Sequence, residues 1–279
     1  GVLALAGDDH GAKSSTLPHQ SDHAFMSAIM PMLYPSRAEE FLELGLAGIA
    51  MSRYSGCWTA MKVIADTIET TGVIDLAGEQ RQFVTPTDFE MPEGGLNFRW
   101  PDDRWSQDGR LQSYKAYAAI AWARANRLDR VIMETRTPRL GLIASGKSYE
   151  DVRQALRELD IDAITADRLG LRLYKVSMPW PLEPEGVRHF AEGLDAILVV
   201  EERREIIENQ IKQQLFNWRA DVRPRIIGKF DEHDKPVLPL DRELTIGTIV
   251  RAICDQLMAY ELEPDFKHHL ERRLDWFER

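Results

Sequence analysis

Between Leu140 and Tyr260, short apolar runs alternate with amphipathic segments, and this narrows the fold more than any other feature of the chain. The strand-like runs are Leu140–Ala144, Leu171–Val176, Ala196–Val200 and Arg225–Gly228. Between and after them, Ser148–Leu159, Pro184–Leu194, Glu205–Trp218 and Thr245–Tyr260 carry helical periodicity. Strands alternating with helices of about 10–15 residues predict an α/β, doubly wound parallel-sheet domain. Ala196-Ile-Leu-Val-Val200 is apolar at every position, as a strand covered on both faces must be.

The N-terminal part repeats this theme incompletely. Gly1-Val-Leu-Ala-Leu-Ala6 reads as a buried strand that stops at the turn Gly7-Asp8-Asp9-His10-Gly11. Ser36 and Glu39 have capping-box spacing at the start of the next helix. Cys57–Ile64 and Val73–Leu76 predict two more strands, which makes a β-α-β unit. A buried strand needs sheet neighbours, so the chain is expected to be an internal piece of a longer polypeptide. Residues 77–109 hold Pro86, Pro92, Pro101 and Gly94-Gly95, as a linker would. They also hold Phe83, Phe89, Phe98, Trp100 and Trp105, which predicts an ordered strap, because disordered tethers are poor in aromatics. Leu111–Met133 predicts a helix, and Glu261–Arg279 an amphipathic one with Phe266, Leu270, Leu274 and Phe277 on one face. The expected division is a partial domain over 1–76, the strap over 77–109, and a complete α/β domain over 110–279.

Charge and cysteine content exclude several functions. Lys plus Arg is 35 against 45 Asp plus Glu, a net charge of -10, so nucleic acid is not an expected partner. No apolar run approaches the ~20 residues of a membrane span, and no membrane association is expected. Two cysteines, Cys57 and Cys254, cannot by themselves complete a structural zinc site or an iron–sulfur cluster.

Two motifs invite chemistry. Gly141-Leu-Ile-Ala-Ser-Gly-Lys-Ser148 matches the P-loop pattern letter for letter. A phosphate-cradling loop follows its strand, however, whereas here Leu140, Leu142 and Ile143 place the strand inside the supposed loop. Only Ser145, Gly146 and Lys147 remain as the turn, a possible anion site at a helix start but too short to wrap a pyrophosphate. The second motif is the polar segment after the first strand, with Asp8, Asp9, His10, Ser14, Ser15 and Asp22 as its candidate site residues. Ligand sites of open α/β sheets lie at such strand ends. The spacing of its His and Asp residues matches no standard metal pattern, so no metal is expected there, and a solvated loop stays open as the alternative.

Three stretches together resemble the 2-oxoacid:ferredoxin oxidoreductases, in particular the long fused indolepyruvate ferredoxin oxidoreductases. Gly7-Asp8-Asp9 with Ser14-Ser15 and Asp22 is similar to the family's G-D-D-P-G-x-H-S-S-x-x-E-Q-D segment. Gly141–Val152 resembles the opening of its second domain, and Lys175–Leu182 followed by Ala196–Glu202 the continuation. His10 stands where the family has Pro, and Lys13 where it has His. The resemblance implies the C-terminal part of a thiamine-diphosphate pyrimidine-type domain followed by a transketolase C-terminal-like domain. It implies a cytoplasmic enzyme that uses thiamine diphosphate, magnesium and 4Fe-4S clusters to decarboxylate a 2-oxoacid oxidatively, with ferredoxin and coenzyme A as partners. The segment alone is expected to be inactive and to bind none of these cofactors. The remainder of its own polypeptide and a homo-oligomeric assembly would complete it. A stand-alone α/β interaction or anion-binding module, and less so a P-loop ATPase, are the rival readings.

Overall fold

The computed structural model describes residues 1–74, 82–100 and 102–278. Their contacts form two units, Gly1–Asp129 with Val176–Gly186, and Arg130–Lys175 with Val187–Arg279. This division falls after Asp129 rather than at 109/110, so the strap and the helix that follows it cluster with the first unit.

The first unit contains β1 (Leu3–Gly7), α1 (Asp22–Ser27), β2 (Met32–Leu33), α2 (Ala38–Ser55), β3 (Thr59–Val63), α3 (Ala65–Ile68), α4 (Arg104–Arg110) and α5 (Ala116–Ala125). A π-helical turn, Leu111–Lys115, joins the last two. The sheet order is β1-β3-β2, all parallel, with Leu3 opposite Thr59 and Met32 opposite Ala60. Leu33, Leu44, Ala47, Met51, Met61 and Trp122 form the core. Gly48 lets α2 lie close on the sheet, since a Cβ there would stand 2.8 Å from a Leu3 methyl.

Several sequence expectations change here. The capping box closes one residue later than its spacing suggested. Ser36 donates through N and Oγ to Glu40 Oε2, at 2.8 and 3.0 Å, rather than pairing with Glu39. The helix expected over Leu111–Met133 ends at Ala125, because Asn126 Nδ2 donates to Trp122 O and Arg127 takes φ 50°. Val73 and Ile74 have no regular secondary structure, and Asp75 and Leu76 of that expected strand lie outside the described residues. β2 and α1 were not anticipated. β2 is held from a distant segment, Met32 N donating to Trp180 O and Tyr34 N to Ser177 O at 2.7 and 2.9 Å.

The second unit contains β4 (Arg130–Met133), β5 (Leu140–Ser145), α6 (Gly146–Glu158), α7 (Ala163–Leu169), β6 (Leu171–Val176), α8 (Pro184–Ala191), β7 (Ala196–Val200), α9 (Ile207–Leu215), β8 (Arg225–Ile227), α10 (Ile246–Leu257) and α11 (Pro264–Glu278). The sheet order is β4-β6-β5-β7-β8, with β5, β7 and β8 parallel. β4 runs antiparallel at the edge, an addition to the expected parallel sheet. Every residue of β7 is buried. Leu142, Val152, Leu198, Val200, Ile249 and Ile253 fill the core, and Leu270 of α11 joins it with Phe266, Leu274 and Phe277 packed alongside. Asp162 and Thr245 cap α7 and α10, accepting from Thr165 N and Thr248 N, which satisfies donors that a helix start leaves open.

Candidate functional site

In the first unit the parallel register of β1 and β3 continues one residue past Gly7, where Asp8 N donates to Val63 O at 2.9 Å. The carboxyl-terminal ends of two neighbouring strands therefore converge on Asp8 and Lys62. Lys62 projects from β3 into the interior with 3% exposure, and its Nζ lies 2.8 Å from Asp22 Oδ2 and 3.4 Å from Asp8 Oδ2. It also sits over the Tyr34 ring, 4.9 Å from the centroid. Burial alone would push the Lys62 ammonium toward its neutral form, but Asp22 and Asp8 outweigh it and hold the lysine charged. Asp8 is buried too and takes further bonds from Ser21, N at 3.1 Å and Oγ at 2.5 Å. Two carboxyl groups thus flank one ammonium.

The structure separates the sequence candidates into two groups. Asp8, Asp22 and the buried His10, 4.0 Å from Asp8, belong to the Lys62 cluster. Asp9, Ser14 and Ser15 make a loop knot of their own. Asp9 accepts the backbone N–H groups of Lys13, Ser14 and Ser15 at 2.8, 2.8 and 2.9 Å, and the Ser15 hydroxyl at 3.0 Å. These donors, Ser14 N and Lys13 N foremost, hold its carboxyl well below the usual carboxylate range. His19 joins the two groups, with its N bonded to Asp9 O and its Nε2 2.8 Å from Gly7 O. That carbonyl, with Asp8 behind it, raises the His19 pKa. When Nε2 donates to Gly7 O, Nδ1 of the neutral ring is left as an acceptor. This half-exposed imidazole is the part of the cluster able to exchange a proton with a ligand.

Lys62 and Ser21 escaped the sequence reading. The available signal was a lysine in the middle of Thr59-Ala-Met-Lys-Val63, since an amine inside an apolar strand must be paired or exposed.

In the second unit Ser145, Gly146 and Lys147 form the β5–α6 junction, and the strand runs through Gly141 as the P-loop argument required. Lys147 donates to Asp151 Oδ2 at 2.6 Å, Glu202 Oε1 at 3.3 Å and Leu244 O at 3.3 Å. An incoming anion would have to displace two carboxylates, so this turn is a brace between α6 and the end of β7. Glu201 and Glu202 serve a similar end. Glu201 accepts from the N–H groups of Ile206, Ile207 and Glu208 at the start of α9, and Glu202 accepts from Leu244 N.

The residues do not fit the groups that the resemblance implied. Among the described residues no group of three or more His, Cys, Asp or Glu could hold a metal ion. Cys57 and Cys254 are both buried, and burial pushes the Cys254 thiol up to about 12, the opposite of what thiolate ligation needs. The Lys62 ammonium is buried and already engaged by Asp22 and Asp8, so it is not open to a diphosphate. No step is therefore routed through thiamine diphosphate, magnesium or an iron–sulfur cluster on these residues. No helix among the described residues is long and apolar enough to cross a membrane.

The sequence profile of the indolepyruvate ferredoxin oxidoreductase middle domain matches residues 129–279, more than half of the chain. The chain belongs to the indolepyruvate ferredoxin oxidoreductase family. Its similarity to the indolepyruvate oxidoreductase subunit IorA of Pyrococcus abyssi is 30% identity over 91% of this chain and 37% of that protein. The IorA subunit of Methanothermobacter marburgensis is 25% identical over 83% of this chain and 35% of its own length. The chain thus spans about a third of the length of these indolepyruvate oxidoreductase relatives. A 2-oxoglutarate:ferredoxin oxidoreductase from Magnetococcus marinus, solved with 2-oxoglutarate, coenzyme A and succinyl-CoA bound, aligns with TM-score 0.52 and 14% identity. That alignment covers 91% of this chain and 48% of the other. A split-gene transketolase, an inactive β4 tetramer, aligns with TM-score 0.51 and 13% identity over 92% of this chain and 66% of its own. At these identities the two solved structures speak to the fold alone.

Proposed function

We propose that this chain is a segment of an enzyme that oxidatively decarboxylates an aryl pyruvate such as indolepyruvate. The carboxylate leaves as carbon dioxide, the two electrons of the broken bond pass singly to two equivalents of oxidised ferredoxin, and the sulfur of coenzyme A takes the acyl group as a thioester while its thiol proton is released. Thiamine diphosphate, magnesium and 4Fe-4S clusters supply the carbanion and electron-transfer chemistry in the complete enzyme, on polypeptide beyond this segment. The segment contributes a loop facing substrate or cofactor, and the complete enzyme assembles as a homo-oligomer in the cytoplasm. Its observation is the buried Asp8–Lys62–Asp22 cluster, which fixes the Gly7-Asp8-Asp9 segment at the carboxyl ends of β1 and β3. Ligands of open α/β sheets are held at such ends. Asp8 would hold His19 in place, and Asp9 would hold the 13–15 amides, so that the loop meets its ligand already ordered.

The test is reduction of ferredoxin by indolepyruvate and coenzyme A, followed with this chain alone and with the chain inside a polypeptide of the relatives' full length. Activity is expected only from the longer polypeptide. Turnover by the chain alone, or a complete protein inert toward every aryl pyruvate offered, overturns the reading.

A further inference from the structure

At the start of β5, the other end of that strand from the Ser145–Lys147 turn, lies a cavity of about 210 Å³ that none of the chemistry above uses. Ligand pockets are commonly about 300–1,000 Å³, so its guest is small. Its walls carry both signs of charge. Two arginines, Arg139 and Arg168, and two glutamates, Glu261 and Glu263, are among its lining residues, and all four are exposed. Among the described residues none of these four side chains makes an ion pair with another protein group. Leu257 and Phe266 supply an apolar wall between them.

The frame is rigid where it matters. Arg139 N and Leu140 N both donate to Gly170 O, at 2.8 and 3.1 Å, and Arg139 O accepts from Asp195 N at 2.8 Å. Gly170 turns at φ 73°, where a Cβ would lie 2.4 Å from Thr137 O, so the turn carrying Arg168 cannot relax around a larger residue. Tyr260 OH donates to Arg139 O at 3.3 Å and pins the Tyr260–Glu263 connection against the same strand start.

We infer that this cavity binds a small zwitterionic α-amino acid with an apolar side chain. The two arginines take its carboxylate through charge-assisted bonds, Glu261 or Glu263 takes its ammonium, and Leu257 and Phe266 receive its side chain. A simple anion would use only half of the lining and would be repelled by the glutamates. The site is independent of the activity proposed above, since it uses only residues of the second unit.

Calorimetric titration of the whole chain with L-phenylalanine, 3-phenylpropionate, phenethylamine and inorganic phosphate tests this. L-Phenylalanine is expected to bind at least about tenfold more tightly than either half-charged analogue, as loss of one charged contact would produce. Arg168→Ala, and Glu261→Gln combined with Glu263→Gln, alter exposed side chains and should each weaken binding about tenfold or more with the melting temperature unmoved. Phosphate or 3-phenylpropionate binding as tightly as L-phenylalanine reduces the cavity to an anion site and overturns the inference. So does undiminished L-phenylalanine binding by Arg168→Ala, or no binding of any of the four probes.

Discussion

Lys62 Nζ donates to Asp22 Oδ2 across 2.8 Å in the interior of the first unit, joining β3 to the first residue of a helix 40 positions earlier in the chain. The pair, with Asp8 beside it, explains how charged residues survive behind an apolar strand. Removing the ammonium strands two carboxylates in the interior. Lys62→Met should lower stability by about 3–5 kcal/mol, as breaking one side of a buried pair does. Adding Asp22→Asn should recover part of the loss, because one of the stranded charges is then gone. Urea midpoints for the single and double variants check this, and a double variant less stable than the single would count against it.

Asp9 is an organiser of a loop rather than of the core. Asp9→Ala should speed amide hydrogen exchange at Lys13, Ser14 and Ser15, whose N–H groups it accepts, while leaving the slow core amides of β3 unchanged. The sign with pH follows from its depressed pKa. Its contribution is present above the unfolded carboxylate value and is lost only as pH falls through the lower folded value. Protection of these three amides should therefore persist through the ordinary carboxylate range.

Glu201 has the opposite linkage. Burial pushes it up to about 7, against the pull of the Ile207, Glu208 and Ile206 N–H groups and of Lys229. The folded state then binds a proton that the unfolded chain has released, so stability falls as pH rises from about 4.5 to about 7. The full effect is up to about 3 kcal/mol. Glu201→Gln should flatten that part of the stability–pH curve even though it costs some stability at low pH. A slope unchanged by the substitution would mean that Glu201 is charged throughout.

Gly141 is needed for close packing, not for phosphate. A Cβ there would stand 2.6 Å from Leu194 Cδ1 and 2.7 Å from Phe190 Cζ. Gly141→Ala should destabilise the chain by about 1–3 kcal/mol, the usual cost of overpacking a filled core. Thermal melting measures it, and ATP should leave the melting temperature of the unsubstituted chain unmoved.

Elements with strong local signals were legible. β6 and β7 have the bounds that their apolar runs predict, and α10 is capped by the threonine that opens its pattern. β2 was not legible, because a two-residue strand has no periodicity and exists through bonds from Trp180 and Ser177. β4 read as the tail of a helix until Arg127 turned the chain. Of the candidate loop, Asp8 and Asp22 come together on Lys62, a partner that looked like an ordinary strand residue.

Alternating apolar runs and amphipathic periods determined by themselves that this chain makes parallel sheets covered by helices, since burial of one face is a local demand repeated along the sequence. Which charges are neutralised, and by what, was decided by tertiary structure alone. Lys62 with Asp22, and Lys147 with Glu202, are pairs 40 and 55 residues apart. Coulomb attraction and desolvation depend on distance in space, and only the folded chain sets that distance.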